Sequence, residues 1–561
     1  MITSESAGIG KSDLSTHEVF NQPPPLENYN MFSADRALMD AVKREGAADA
    51  MAALTQLGAK LGDARVFALG HLANKHPPIL HTHDRYGRRR DEIEFHPAWH
   101  ELMTIAVAEG LHTAPWANPI AGAHVNRAAA YILYGQVENG TQCPLTMTYA
   151  AVPVLRKQSD TLPLLAQTWL PRLLSREYDS RFIPIEQKRG ALIGMGMTEK
   201  QGGSDVRANT TRAEPLHARG PGQPYRITGH KWFFSAPMCD AFLVLAQTEA
   251  GLGCFFMPRF TPDGDVNGLR FQRLKDKLGN RSNASAEVEF HNAFAWLLGD
   301  EGRGVATIVE MATYTRLDCV IGTAGMMRQA TAQAIHHASH RHAFGKRLVD
   351  QPLMQNVLAD LAIESEAATV LTMRLAHAFD SNEESEVELR RLLTPAAKYW
   401  VCKRGPFMAA EAMEVLGGNG YVEESVMPRI YREMPLNSIW EGAGNIMCLD
   451  VLRAVARAPR MEEIYFAELE KARGGDERLD RCIDKLRSDW SVMTTSESMA
   501  RRFAATIAVA LQAALLVRHA PAAVANAYCA SRIDGDWGGS FGTLLNNVDC
   551  VAIVSRAAPV C

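Results

Sequence analysis

The chain has 561 residues, 47% of them apolar and 22% charged, with a formal net charge of -4. That composition is ordinary for a protein with a packed core, and the charge excludes a global basic field, so nucleic acid or membrane could be held only by a local patch. At roughly 100–200 residues per domain, the length corresponds to about three or four domains.

Residues 1–190 read as a mainly helical domain, with apolar positions three and four apart in "ADRALMDAVKREGA" and "DAMAALTQLGAKLG". Before them, "QPPPLENYN" is a proline-stiffened arm. "RYGRRR" (Arg85 to Arg90) is followed by Asp91, Glu92 and Glu94 and reads as a mixed, solvated loop. Residues 191–298 change character. "YRITGHKWFFSA", "AFLVLAQTE", "CFFMPRF" and "SAEVEFHNAFAWLL" are short, aromatic and β-branched, and turn residues separate them. They predict an antiparallel β domain. The helical period returns over 299–457, beginning with a stretch that forms one long helix or two. Residues 458–561 predict a helical extension. Its most apolar part, Phe503 to Val517, is shorter than the roughly 20 residues a bilayer needs and reads as a buried helix. Helices, then strands, then helices define an α+β class with separate modules. The first residues lack an apolar signal region, which points to a cytoplasmic protein. The ten cysteines contain no CxxC pair, and no metal site is expected.

"GMGMTEKQGGSDV" (Gly194 to Val206) carries four glycines and two hydroxyl side chains behind an apolar stretch. Such a loop can present several backbone N–H groups to an anion or a carbonyl-rich ring, or it can be a plain turn at a strand. It is not GxGxxG and lies in no βαβ pattern, so a Rossmann site is disfavoured. "HHASHRH" (His336 to His342) could hold a metal pair by spacing, but solvated or interface histidines fit it better.

Four ordered motifs resemble those of the acyl-CoA dehydrogenases: "GMTEKQGGSDVRA" (Gly196 to Ala208), "RHAFGKRL" (Arg341 to Leu348), "EVLGGNGYVEESVMPRIYRE" (Glu414 to Glu433) and "IWEGAGNI" (Ile439 to Ile446). The resemblance spans about Phe20 to Arg453. It implies a helical domain, a β domain and a C-terminal four-helix domain, with FAD between the last two and a homo-oligomer, a tetramer, sharing the cofactor. Position by position, Met197, Thr198, Gly203 and Ser204 would hold the flavin edge and pyrophosphate. Phe233 would stack on the ring, and the Ser235 hydroxyl would lie beside flavin N5. Arg341 and Phe344 would meet the FAD of a partner subunit, and Gly417 and Gly418 would let backbone approach the pyrophosphate. The family's E-G-T-x-Q is here Glu441-Gly442-Ala443-Gly444-Asn445. Asn445 would therefore meet FAD through a shorter side chain, and Ala443 lacks the hydroxyl.

Desaturating an acyl thioester needs a base for the α-proton and an acceptor for the β-hydride. Glu441 falls where most of the family carries its catalytic base; the residues alone equally allow a carboxylate favoured by a helix N-terminus. A minority of the family places its base on an earlier helix, where this chain has Thr315, followed by Arg316.

"GHKWFFS", "DKLGNRSNAS", "VFNQPPPL" and the extension itself are similar to one branch of that family, flavoproteins of the bacterial adaptive response to DNA alkylation. This implies double-stranded DNA as a partner of the extension, and protection of DNA or inactivation of alkylating agents, with dehydrogenase activity weak or vestigial. Candidate phosphate contacts are Arg453, Arg501, Arg502, Arg518 and Arg532. They form no single basic stripe on an ideal helix, so an extension whose charged ends flank a buried helix stays open. The alternative function is a metabolic short- or branched-chain acyl-CoA dehydrogenase whose extension is structural.

Overall fold

The computed structural model describes residues 16–559. Helices from Arg36–Arg44 to Leu170–Leu173 form the N-terminal part. Inside it lies an antiparallel hairpin, β1 (Ile79–His83) and β2 (Arg89–Glu94), where the sequence reading has a solvated loop. The turn is built by Asp84, whose carboxylate accepts from the Tyr86 and Arg88 backbone N–H groups, and by Gly87 at φ 78°. Arg89 and Arg90 are taken up by Asp91 and Glu92. The hairpin docks on the main sheet: Arg89 donates to the Phe271 carbonyl at 2.8 Å and the Phe271 N–H donates to Asp91 at 3.0 Å.

The β domain contains β3 (Ile193–Gly196), β4 (Arg212–Pro215), β5 (Pro224–Ser235), β6 (Ala241–Thr248), β7 (Gly251–Pro258), β8 (Leu269–Leu274) and β9 (Ser285–Leu298). β5 pairs with β9, β9 with β7, β7 with β6, and β6 returns to β5 through β3 and β4. The sheet thus closes on itself, which leaves few open edges. β3 and β6 run parallel; most other pairs are antiparallel.

Gly304–His340 is one continuous helix of 37 residues. Gly325 allows a tight crossing, because a Cβ there would press on the Ile132 carbonyl. Nearby, Arg127 and Asp318 make a buried fork-to-fork pair at 2.6 and 2.7 Å, joining the N-terminal helices to this one. Pro352–Asp380, Glu384–Val415 and Gly444–Arg457 pack beside it.

The extension adds five helices: Met461–Glu470, Glu477–Thr495, Ala500–His519, Ala522–Tyr528 and Cys550–Ala557. Among the described residues, the segment Glu497–His519 is the one long and apolar enough to cross a membrane, and 67% of its most apolar window is buried inside the protein. Phe503, Ile507, Leu511 and Leu515 face inward. Ion pairs tie the extension to the four-helix domain. Arg374 holds Glu386 and Glu468, Arg532 holds Asp360 and Glu364, and Arg556 holds Glu366 and Asp40.

Candidate functional site

The glycine-rich loop leaves β3 and folds back on itself. Gly202 lies at φ 134°, and a Cβ at Gly203 would collide with the Thr198 hydroxyl, so both positions demand glycine. The loop is anchored from inside. Glu199 accepts from Lys231 Nζ at 2.8 Å, and from the backbone N–H groups of Thr210 and Thr211. Both charges are fully buried. Burial works to raise the Glu199 carboxyl, but Lys231 and the surrounding donors outweigh it and hold it well below the usual carboxylate range. Burial pulls Lys231 down to about 8 against that attraction. In sequence the lysine stands in an otherwise alternating strand, "YRITGHKWFFS"; a charge on the inward face was the legible sign of a buried partner. Met197 and Thr198 are half-buried, while Ser204 stands in the open.

The β5–β9 register shifts between Lys231 and Phe234. A bulge re-aims side chains: Phe234 is buried, while Phe233 is 51% exposed beside the loop strand. Ser235 pairs with Met195 on one side and Ser285 on the other. Its hydroxyl lies 3.3 Å from that of Ser285, which accepts from Lys277 Nζ at 3.1 Å. The Cys143 thiol interacts with the Ser235 and Asn283 side chains and feels the charges of Lys277 and Glu441; burial pushes it up to about 12. Two strands and the N-terminal helix that carries Cys143 thus meet at Ser235.

Glu441 sits at φ 59°, a backbone that non-glycine residues adopt only when their surroundings impose it. The surroundings are specific. Thr315 Oγ1 donates to Glu441 Oε2 at 2.7 Å, Arg316 Nε to the Glu441 carbonyl at 2.9 Å, and Lys398 to the Gly442 carbonyl at 2.8 Å. Arg316 also holds Asp450, which Arg391 grips from the other side. The helix begins only at Gly444, with no side-chain cap, so Glu441 is not a capping carboxylate. Burial raises its pKa above the usual carboxylate range, against the Thr315 hydrogen bond and the charges of Arg316 and Lys398. A half-buried carboxylate held at one oxygen, with its pKa raised, is what base catalysis requires. Thr315 was legible only as a missing base; its hydroxyl in fact orients the carboxylate.

The remaining predicted cofactor residues lie around open surface. Phe344 is 98% exposed at the tip of a two-residue turn, with Phe344 at φ 53° and Gly345 at φ 77°. Arg341 is half-buried, and its guanidinium donates to the Asn21 carbonyl of the N-terminal arm at 2.5 Å. Gly417, at φ 60°, and Gly418 have no atom within 4 Å of a Cβ position, and Tyr421 beside them is 80% exposed. The Asn445 carboxamide oxygen accepts from Arg501 Nε of the extension at 2.8 Å. His336 and His340 bond backbone carbonyls, of Pro24 and His336 respectively.

The five arginines expected on DNA do not share one environment. Arg453, Arg501 and Arg502 are exposed. Arg532 is not available: its side chain is 3% exposed and pairs with Asp360 at 2.5 Å and Glu364 at 2.9 Å, so it is withdrawn as a phosphate contact. Arg518 is partly buried and leans on Glu468 at 3.4 Å.

A β sheet closed on itself between two helical parts, with a glycine-rich loop leaving its first strand and a half-buried Glu before the last helix of the four-helix domain, defines the acyl-CoA dehydrogenase class. The family profiles agree: "Acyl-CoA dehydrogenase, middle domain" matches residues 194–293, "Acyl-CoA dehydrogenase, C-terminal domain" matches 302–456, and "Adaptive response protein AidB N-terminal domain" matches 21–180. AidB of Escherichia coli (strain K12) is 50% identical over 521 residues, covering 92% of this chain and 95% of that protein. The Caenorhabditis elegans protein ACDH-11, solved in complex with C11-CoA, superposes with a TM-score of 0.83 at 27% identity, over 92% of this chain and 94% of that one. An acyl-CoA dehydrogenase from Bacillus anthracis, solved with FAD, shares the fold at a TM-score of 0.60 and 17% identity, over 82% of this chain and 81% of that one. The chain belongs to the AidB branch of the acyl-CoA dehydrogenase family.

The residues present fit a flavin dinucleotide. The open backbone at Gly417 and Gly418, the uncovered rings of Phe233, Phe344 and Tyr421, and the hydroxyls of Thr198, Ser204 and Ser235 together offer stacking faces, donors and room.

Proposed function

We propose that this chain is an FAD-containing, DNA-binding protein of the adaptive response to DNA alkylation, which protects DNA or inactivates alkylating agents in the cytoplasm. FAD supplies the hydride acceptor. The Met197–Ser204 loop, Phe233 and Ser235 would bind and orient its ring, Asn445 would meet it through its shortened side chain, and Arg341, Phe344, Gly417 and Gly418 would serve the cofactor shared between subunits. Glu441 takes the proton, and the Thr315 hydroxyl holds one of its two carboxylate oxygens. The exposed Arg453, Arg501 and Arg502 contact DNA phosphates, with Arg518 at the margin. The exposed Phe344 and the bare surface beside Tyr421 support a homo-oligomer, a tetramer.

The observation that carries this reading is likeness to AidB at 50% identity over 92% of this chain and 95% of that protein. Titration with duplex DNA over a salt series tests it. Affinity should fall steeply as salt rises, because phosphate contacts release counterions; no binding at low salt would end the proposal.

A second reading has an observation of its own. The ACDH-11 structure that covers 92% of this chain holds an acyl-CoA, so the extended architecture accommodates such a ligand. A metabolic acyl-CoA dehydrogenase with a structural extension would bleach its flavin anaerobically with an acyl-CoA. Bleaching without DNA affinity would favour it.

A further inference from the structure

One cation near the proposed flavin site has no part in the function argued so far. Lys277 lies in the segment between β8 and β9, in "DKLGNRSNAS". Its ammonium donates to the Asn283 carbonyl at 2.6 Å and to Ser285 Oγ at 3.1 Å. Burial pulls it down to about 8, and the titratable groups facing it come from three other elements: the Cys143 thiol on an N-terminal helix, Glu138 on the loop before that helix, and Glu433 on Met427–Glu433.

The hydrogen-bond direction is fixed by chemistry. An ammonium can only donate, so Ser285 Oγ accepts from Lys277. Its own proton is then free to pass to Ser235 Oγ, 3.3 Å away. Ser235, having accepted, is left with its proton to give, for which the neighbouring Cys143 sulfur is only a weak competing acceptor. A cation therefore polarises a chain of two hydroxyls that ends at the position expected beside flavin N5. Each donation strengthens the next. A donor aimed where electron density develops, backed by a fixed charge, favours the electron-rich state of whatever it faces.

We propose that Lys277, acting through Ser285, is a positioning residue that holds Ser235 as a polarised donor and biases the bound flavin toward its reduced form. This rests on the FAD reading above. Lys277 itself takes no proton or electron in the reaction.

The test uses the full-length protein reconstituted with FAD, equilibrated with a reference dye, with the ratio of reduced to oxidised flavin read at fixed potential. K277Q should lower that ratio by about tenfold, roughly 30 mV for a two-electron couple. K277R should keep it within about threefold. S285A leaves the charge in place but cuts the relay, and should lose part of the same effect, which also carries the test if K277Q fails to fold. K277Q and S285A that bind FAD fully and match the wild type would overturn the proposal, as would a loss confined to K277Q with S285A unchanged. Wild-type protein that takes up no FAD would defeat the reading of the site itself, which absorbance shows before any potential is measured.

Discussion

Arg501 Nε donates to the Asn445 carboxamide oxygen at 2.8 Å, so the extension grips the segment that also carries Glu441. An arginine expected on DNA and an asparagine expected on FAD are bonded to each other. The guanidinium is thereby held in one orientation, whereas Arg502 beside it points to solvent from the same helix.

Arg502→Gln should lower the slope of log affinity against log salt by about one. Arg501→Gln should lower it less, since part of its guanidinium already serves the protein. Equal losses in gel-shift titrations would show that the Asn445 contact does not restrain Arg501.

Arg532→Ala should act on stability. It removes the partner of two buried carboxylates, and an uncompensated buried charge costs roughly 3–5 kcal/mol. Urea denaturation should show that loss, with the midpoint moved and the slope unchanged. A variant as stable as the wild type would mean that Arg404, which also reaches Glu364, suffices alone.

Glu441→Gln should abolish flavin bleaching by any acyl-CoA that bleaches the wild type. Thr315→Val should leave bleaching possible but shift its acid limb to higher pH. The base must be deprotonated to act, and the Thr315 hydrogen bond favours the charged form, so losing it raises the carboxyl further. A limb that stays in place, read by stopped-flow absorbance, would deny Thr315 that role.

Glu433 should make stability fall with pH. Burial and the neighbouring Glu138 charge push its carboxyl to about 7, from an ordinary value of 4.5. The folded state therefore binds the proton more tightly than the unfolded chain. The stability this confers is complete below about pH 4.5 and is lost as pH rises through about 7. At about 1.4 kcal/mol per pKa unit, the loss is at most about 3.5 kcal/mol. Glu433→Gln keeps an acceptor for the Asn280 N–H and cannot ionise, so its Tm should fall less on going from mildly acid to mildly alkaline buffer. Parallel curves for the two proteins would refute this.

The α+β class was legible because its signals are local: apolar spacing of three and four, aromatic alternation, glycine turns. So was the need for glycine in the loop after β3, whose own backbone folds tightly enough at Gly203 that a Cβ would meet Thr198. What escaped depends on distant residues. The hairpin at 79–94 is held by Phe271, some 180 positions along the chain. The burial of Arg532 is decided by Asp360 and Glu364, 172 and 168 positions earlier. A lone arginine near a chain end looks solvated until those carboxylates are placed beneath it. Thr315 and Glu441, 126 positions apart, pose the same difficulty.

The ion pairs between the extension and Pro352–Asp380 limit which variants can be made. Asp360, Glu364 and Glu366 line one helix and find their counterions in Arg404, Arg532 and Arg556, two of which belong to the last thirty or so positions of the chain. Amputating the tail would leave that helix bristling with like charges in a dry interior, so a truncated protein would report on collapse and not on DNA. Surface charge swaps on the intact chain are the workable alternative.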